Sequence, residues 1–441
     1  MSQYFGTDGI RGIPNKDLTV ELSTKVGNAL TLLKKSPLVI IGTDTRVSKD
    51  MLKTAVSAGI LAGGGNVIDL GILTTPAVSY MTTYYKADFG VVISASHNPA
   101  EYNGIKIFDS TGAKLGEAER DFIEECIEKN KFHNSKTFGT LKHDLASHDE
   151  YIKFLMDTVE TDFKGLKIVL DCSNGAAFEV APKIFEKLGA EVYSYNCNSA
   201  GHDINVDCGA LCEKFIIDKT MEHQADIGFA FDGDADRVIA ATKEGKLIDG
   251  DLTIYILAKY LRQNNKLNNN MVVGTHHTNM GMELALEKLG IKLVRADVGD
   301  HFVASEMQKR GLVLGGEQSG HIILQNFAPT GDGILAALQL VNVLKKTGKT
   351  VQELADYEIF PQVNINIKTE LKNEILKDEG LQDEIKRIGS VLAGKGRLLI
   401  RASGTEPKIR IMVECLEKDF AEKIAQDLAK KVKEVKAKLE N

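Results

Sequence analysis

The chain has no run of about 18 apolar residues, so no membrane-spanning helix is expected. Its opening, MSQYFGTDGIRG, lacks the basic head and apolar stretch of a secretion signal. No basic stretch rises above the net charge of −7, which argues against nucleic acid as a partner and leaves any phosphate binding to local groups. Cysteine is sparse: six residues scattered over 441 do not make the disulfide framework of a small secreted domain, and reduced thiols in a cytoplasmic protein are expected. Cys197, His202, Cys208 and Cys212 have the residue types of a zinc site but not the short paired spacing such sites favour, so zinc is not expected. Low-complexity segments, short-period repeats and the phosphate-loop pattern GxxxxGK[ST] are absent too.

What is present is ordinary globular material, 43% apolar and 26% charged, over a length that implies roughly three or four domains. The dominant rhythm is a short apolar strand, a turn with Gly or Asx, then an amphipathic helix. Leu38 to Ile41 precedes a helix near Met51 to Ala62, and Leu166 to Leu170 precedes another α/β segment. Met271 to Gly274 precedes a helix near Gly281 to Leu289, and Gly311 to Leu314 precedes GGEQSGH. Such alternation predicts largely parallel sheets, whose ligands gather at the carboxyl ends of the strands. Near residue 360 the pattern changes: Pro361 to Lys368 alternates strictly, as a half-solvated antiparallel strand does. A helix at about Lys372 to Ile388, strands at Arg397 to Arg401 and Lys408 to Glu414, and a last helix with the stripe Phe420, Ile424, Leu428, Val432, Val435 and Leu439 complete a small α+β domain. The expected domains are α/β at 1–150, 151–250 and 251–360, and α+β at 361–441.

Four loops carry chemistry-bearing residues. The apolar run Val91-Val92-Ile93 empties into Ser94, Ser96, His97 and Asn98, with Pro99 barring further ladder pairing. Alone, a serine before a proline is a turn former. After the apolar strand Ile227 to Phe231, Asp232, Asp234 and Asp236 follow at period two, which on extended backbone aims all three carboxylates to one side. Carboxylates several Å apart repel by about 1 to 4 kcal/mol per pair, a cost a hard divalent cation removes; the bland alternative is a solvated acidic turn paired with Arg237. A phosphorylated Ser96 would supply such an ion with a further ligand, and Lys106 could neutralise charge or shuttle a proton beside it. GGEQSGH offers Glu317 and Ser319 to sugar hydroxyls, with His321 nearby, although a plain β-turn fits it as well. RASGTEPKIR sets Ser403, Gly404 and Thr405 between two strands, with Arg401 and Arg410 flanking, an anion cradle of hydroxyl, amide and guanidinium groups. Arg11 in FGTDGIRG is read as reaching a phosphate, and Arg46 in GTDTRVS as a brace within the first domain.

Taken in order, FGTDGIRG at Phe5 to Gly12, SASHNP at Ser94 to Pro99, DGDADR at Asp232 to Arg237, GEQSGH at Gly316 to His321 and RASGTE at Arg401 to Glu406 resemble the α-D-phosphohexomutase superfamily over essentially the whole chain. The resemblance implies an α/β protein of three mixed α/β domains plus a C-terminal α+β domain, TATA-box-binding-protein-like, around a central cleft. It implies Ser96 as the phosphoserine, and Asp232, Asp234 and Asp236 as Mg²⁺ ligands together with the Ser96 phosphate. Glu317 and Ser319 would contact sugar hydroxyls, while Arg401, Ser403, Gly404, Thr405 and Arg410 would hold the phosphate that is not reacting. Lys106 and Arg11 become the acid/base candidates, Lys106 preferred because an arginine would need a strongly shifted pKa, with His97 and His321 as auxiliaries. Expected partners are a phosphosugar substrate and a sugar bisphosphate intermediate; related enzymes occur as monomers and dimers, so a homodimer is one expectation. Within the superfamily, FGTDGIRG, Gln318, the TGDG at Thr330 to Gly333 and the ending IRIMVE are similar to the bacterial phosphoglucosamine mutases. His301 is reminiscent of the phosphomannomutase/phosphoglucomutase branch, so a broader hexose specificity stays the alternative.

Overall fold

The computed structural model describes residues 4–6, 8–144, 146–403 and 407–440. Two compact units are present, one formed by 1–277 with 291–356 and the other by 278–290 with 357–441. None of the helices among the described residues is long and apolar enough to cross a membrane.

The larger unit contains three sheets. In the first, the order is Phe5–Gly6, Gly9–Gly12, Asn103–Phe108, Phe89–Ile93, Leu38–Thr43, Asn66–Ile72 and Leu141–His143. From Phe89–Ile93 onward the neighbours are parallel, whereas the three strands before it join antiparallel. The second sheet runs Leu247–Ile248, Val238–Ala241, Ile227–Phe231, Lys167–Asp171 and Glu191–Tyr195; the third runs Lys292–Ala296, Met271–Thr275, Leu314–Gly316 and Ile322–Leu324. All three sheets are mixed, with antiparallel strands added to a parallel core. Where the chain returns within a few residues, as between Phe231 and Val238, it pairs antiparallel, because a parallel return needs a crossover of about a dozen residues or more.

Local chemistry sets the helix starts. Thr19 accepts from Leu22 N (3.1 Å) at the head of Val20–Leu33, and Thr74 accepts from Ala77 N (3.3 Å) at the head of Thr75–Tyr84, where Pro76 occupies the first turn. Helix Asp300–Arg310 ends at Gly311, whose φ of 62° is left-handed. The following strand therefore begins at Leu314, not at Gly311 as the apolar run suggests.

The smaller unit is an antiparallel sheet in the order Gln362–Lys368, Lys408–Cys415, Gly396–Ala402, backed by helices. The expected helix 372–388 is two helices, Lys372–Leu376 and Glu379–Leu392, because the Asp378 carboxylate accepts from Leu381 N (2.8 Å) and starts a new one. The last helix, Lys418–Glu440, buries Ile424, Leu428, Val432 and Val435, but Phe420 is only partly buried and Leu439 is 48% exposed, so the apolar stripe is shorter than its sequence pattern. Helix Met280–Lys288 lies with this unit although it follows a strand of the third sheet. Asn279 donates to Phe360 O (2.9 Å) and accepts from Phe360 N (3.0 Å), and Met280 N donates to Glu414 Oε1 (2.8 Å).

Asp332 caps helix Gly333–Thr347 through Leu335 N (2.9 Å) and accepts from the buried Tyr151 hydroxyl (2.6 Å). Burial pushes its pKa up to about 6, against the lowering influence of those hydrogen bonds. A folded pKa above the unfolded value means a contribution fully present below about pH 4 and lost as pH rises through about 6. Chemical denaturation across that window should show the component in the wild type and its absence in Asp332→Asn, which keeps an oxygen for the cap.

Candidate active site

Strand Phe89–Ile93 is buried along its whole length and pairs antiparallel with Asn103–Phe108. The loop between them, 94–102, leaves from the carboxyl end of a strand in the parallel part of the sheet. At its centre Ser96 is 1% exposed and left-handed, with φ of 52°, a conformation that costs a non-glycine residue about 1–3 kcal/mol and persists only when its surroundings enforce it. Arg46 is the enforcing group. Fully buried, it donates through one terminal nitrogen to Pro99 O (2.5 Å) and Tyr102 O (2.9 Å) and through the other to Ser96 O (3.0 Å) and Asn98 O (2.7 Å). Its Nε donates to Asp44 (3.0 Å), which also accepts from Ser94 Oγ (2.6 Å), and Ser94 Oγ in turn accepts from Ser96 N (2.9 Å). The expectation that Arg46 braces the first domain takes this concrete form: it grips the backbone of the serine loop.

The second sheet brings the aspartates. Ile227–Phe231 is wholly buried, and the chain then turns, with Ala235 left-handed at φ of 58°. The carboxylates thus converge through a tight turn, not along extended backbone as the period-two spacing suggests. Gly233 allows the approach: a Cβ there would stand 2.6 Å from Ser96 O. Asn205 from the same unit donates to Ser96 O (2.9 Å), and Ser96 Oγ donates to Asp232 Oδ2 (2.5 Å). Asp232, Asp234 and Asp236 are each at most 3% exposed, and their ligand oxygens lie within 4.8 Å of one another. Asp234 Oδ1 and Asp236 Oδ1 are buried without a hydrogen-bond partner among the described residues. Burial, then Asp236 and Asp234, raise the Asp232 carboxyl well above its ordinary range. Two orphaned carboxylate oxygens in a dry all-oxygen cluster are the donor set of a divalent metal site.

Around this cluster the charges interlock. Lys106 Nζ contacts Asp234 (2.7 Å), Asp8 (2.9 Å) and Asp236 (3.1 Å). Burial works against its charge, but the three carboxylates outweigh that and hold it as an ammonium, with a pKa well above the usual value. Asp8 also accepts from Arg11 and Lys114, and Lys114 bridges on to Asp300; Arg11 donates to Asn98 Oδ1 (3.1 Å) as well. Despite its burial, Asp8 is kept well below the usual carboxylate range by Lys106, Lys114 and Arg11. His97 Nδ1 is 3.3 Å from Ser96 Oγ, and burial, assisted by Arg237 and Arg11, lowers its pKa to about 4. The His321 ring accepts from Gly331 N (3.2 Å) at Nε2 and turns Nδ1 toward Asp236 Oδ1 (3.7 Å).

Ser96, His97, Lys106, Arg11, His321 and the three aspartates are therefore one cluster. Glu317 is half-buried and accepts from Gly299 N (3.1 Å), while Ser319 is exposed on the same turn. Arg401 and Arg410 stand directly opposite each other in the antiparallel ladder of the smaller unit, and Ser403 N donates to Lys408 O (2.8 Å). Gly404 and Thr405 lie outside the described residues. Sequence reasoning passed over Asp8, Lys114, Asp300 and Asn205. Asp8 sits inside FGTDGIRG and was within reach of that motif; the others carry no local signal, because only the fold brings them to the cluster.

The four domain models of phosphoglucomutase/phosphomannomutase match residues 2–134 (domain I), 149–245 (domain II), 249–360 (domain III) and 364–431 (C-terminal domain). The chain belongs to the phosphoglucomutase/phosphomannomutase family. Its four-domain architecture is that family's. A phosphoglucosamine mutase of Caldanaerobacter subterraneus subsp. tengcongensis is 48% identical over 97% of this chain and 98% of its own length, and one of Clostridium acetobutylicum is 45% identical over 97% and 98%. Among solved structures, a phosphoglucomutase/phosphomannomutase family protein from Burkholderia thailandensis superposes with a TM-score of 0.84 at 22% identity, covering 98% of this chain and 97% of that one. An Aspergillus fumigatus N-acetylphosphoglucosamine mutase, in complex with GlcNAc-6P and magnesium, reaches 0.64 at 18% identity over 98% and 96%.

Replacing Arg46 with methionine leaves the Asp44 carboxylate buried without its cation and removes the guanidinium donors from four carbonyls of the serine loop. Arg46→Met should cost about 3–5 kcal/mol in chemical denaturation, the scale for breaking a buried pair from one side. Any folded fraction should show accelerated hydrogen exchange over 94–102.

Proposed function

We propose that the chain interconverts glucosamine 6-phosphate and glucosamine 1-phosphate, acting in the cytoplasm as an intramolecular phosphotransferase on the route to UDP-N-acetylglucosamine. The substrate is supported by full-length likeness to phosphoglucosamine mutases. The observation that carries the chemistry is the 2.5 Å contact between Ser96 Oγ and Asp232, which sets a hydroxyl against a buried carboxylate triad. Phosphorylated on that oxygen, Ser96 gives its phosphoryl group to the free hydroxyl of the bound sugar: the P–O bond to serine breaks, a P–O bond to the sugar forms, and the proton lost by the sugar hydroxyl is matched by one gained at the freed serine oxygen. The resulting bisphosphate turns end for end and returns its other phosphoryl group to Ser96.

Asp232, Asp234 and Asp236, with the phosphate on Ser96, would hold Mg²⁺, which when bound neutralises charge on the transferring phosphoryl oxygens. Lys106, on the strand that follows the serine loop and held as an ammonium, gives its proton to the leaving oxygen as each P–O bond breaks and recovers one from the attacking hydroxyl. His97, neutral at pH 7, orients the serine oxygen. Arg11 is tied to Asp8 and Asn98 and serves as a fixed positive charge. Glu317 and Ser319 are assigned to sugar hydroxyls, and Arg401, Ser403, Gly404, Thr405 and Arg410 to the phosphate that is not reacting. His301, which lines a cavity of the larger unit together with Lys106 and His321, favours a second reading in which glucose and mannose phosphates are also turned over.

Turnover of glucosamine 6-phosphate by the Ser96-phosphorylated protein with Mg²⁺, set beside glucose 1-phosphate and mannose 1-phosphate in one assay, tests the assignment. A large advantage for the amino sugar is expected; equal or better turnover of the neutral sugars sinks it. Ser96→Ala should lose the phosphoryl adduct by intact-protein mass spectrometry and roughly a thousandfold or more of the activity. Chelation of divalent ions should abolish turnover by the wild type, and added Mg²⁺ should restore it.

A further inference from the structure

The larger unit contains a cavity of about 590 Å³ lined by Lys106 and His321, beside the aspartate cluster, and also by Arg120, Ser305, Gln308 and Gln325. That volume is in the range of sites for small organic ligands. Three lysine or arginine residues line it, and two are spoken for: Lys106 by Asp8, Asp234 and Asp236, and Lys114 by Asp8 and Asp300. Arg120 is different. It stands in the first turn of helix Glu117–Glu128, half-buried, in no ion pair among the described residues, and its buried Nε has no hydrogen-bond partner among them. The two first-turn glutamates of that helix, Glu117 and Glu119, do not line the cavity. The same cavity is lined by a guanidinium in no ion pair among the described residues and by the neutral hydrogen-bonding side chains of Ser305 and Gln308 on helix Asp300–Arg310.

A guanidinium in that setting suits a phosphomonoester, which it meets with two parallel N–H donors. A sugar bisphosphate carries two such groups, of which Ser96 and the metal cluster can engage one at a time. We propose that Arg120 is a second phosphate subsite, holding the far phosphate of the bisphosphate intermediate on the same compact unit as Ser96 while the sugar turns; this rests on the phosphohexomutase reading above. The arginines at 401 and 410 belong to the other compact unit, so a phosphate on Arg120 gives the intermediate an attachment independent of them. Arg120 binds the intermediate and takes no part in bond making.

The test is retention of the intermediate. Ser96-phosphorylated wild type, Arg120→Gln and Arg120→Lys are each turned over on glucosamine 1-phosphate with Mg²⁺, and free sugar bisphosphate is measured by chromatography while the Ser96 phosphate is followed by intact mass. Arg120→Gln should release bisphosphate about tenfold more often per turnover, the loss of one charge-assisted contact, and should run down as Ser96 loses its phosphate. Added sugar bisphosphate should restore its rate, and Arg120→Lys should fall between. A merely structural arginine would lower the melting temperature without changing the ratio of release to turnover. Release by Arg120→Gln equal to that of the wild type overturns the proposal alone. A wild type that forms no bisphosphate at all overturns the phosphohexomutase reading and the proposal with it.

Discussion

Four ionisable groups share a nearly dry space: Asp232, Asp234, Asp236 and Lys106, none more than 3% exposed. Like charges at that separation and in that dielectric cannot all persist without a counter-charge, and the protein supplies part of it. Lys106 serves Asp234 and Asp236 and also reaches Asp8; Asp8 then draws in Arg11 and Lys114, and Lys114 draws in Asp300. Asp232 is left with the Ser96 hydroxyl and the Arg237 amide as donors, and it is the carboxyl whose ionisation burial opposes most openly. The site is therefore built around an excess of negative charge, which a divalent cation would offset.

Such a cluster needs rigid supports from different parts of the chain. Ser96 comes from the first sheet, the aspartates from the second, and His321 from the third. Each stands where a buried strand ends or begins, so the backbone hydrogen bonds of the sheet fix one side of each loop. The other side is fixed by single polar residues: Arg46 for the serine loop, Asn205 across to it, and Thr75, whose hydroxyl donates to Asp234 (2.5 Å). Fixing a left-handed serine in this way removes conformational freedom from its oxygen.

Much of this was legible in the sequence, for identifiable reasons. Apolar runs that end in polar clusters announced the loops, and alternation of strand and helix announced the class. What misled was inference from local spacing to backbone shape. Period-two aspartates suggested extended chain, whereas Ala235 turns it; the run at 311–314 suggested a strand where Gly311 ends a helix; and one apolar period at 372–388 concealed the cap at Asp378. Antiparallel additions to the sheets were missed because loop length, not composition, decides pairing direction. Lys114 and Asp300, nearly 190 residues apart and with no motif about either, could be paired only by the fold.

The position of helix Met280–Lys288 bears on how the protein is made. During synthesis it leaves the ribosome well before Phe360, Arg397 and Glu414, the residues that hold Asn279, Thr278 and Met280 in place. Its partners therefore arrive late, Phe360 at the end of the third family domain and Glu414 well into the last. The C-terminal unit is in this sense not a module appended to a finished enzyme but the closing stitch of a chain that has already contributed one of its pieces.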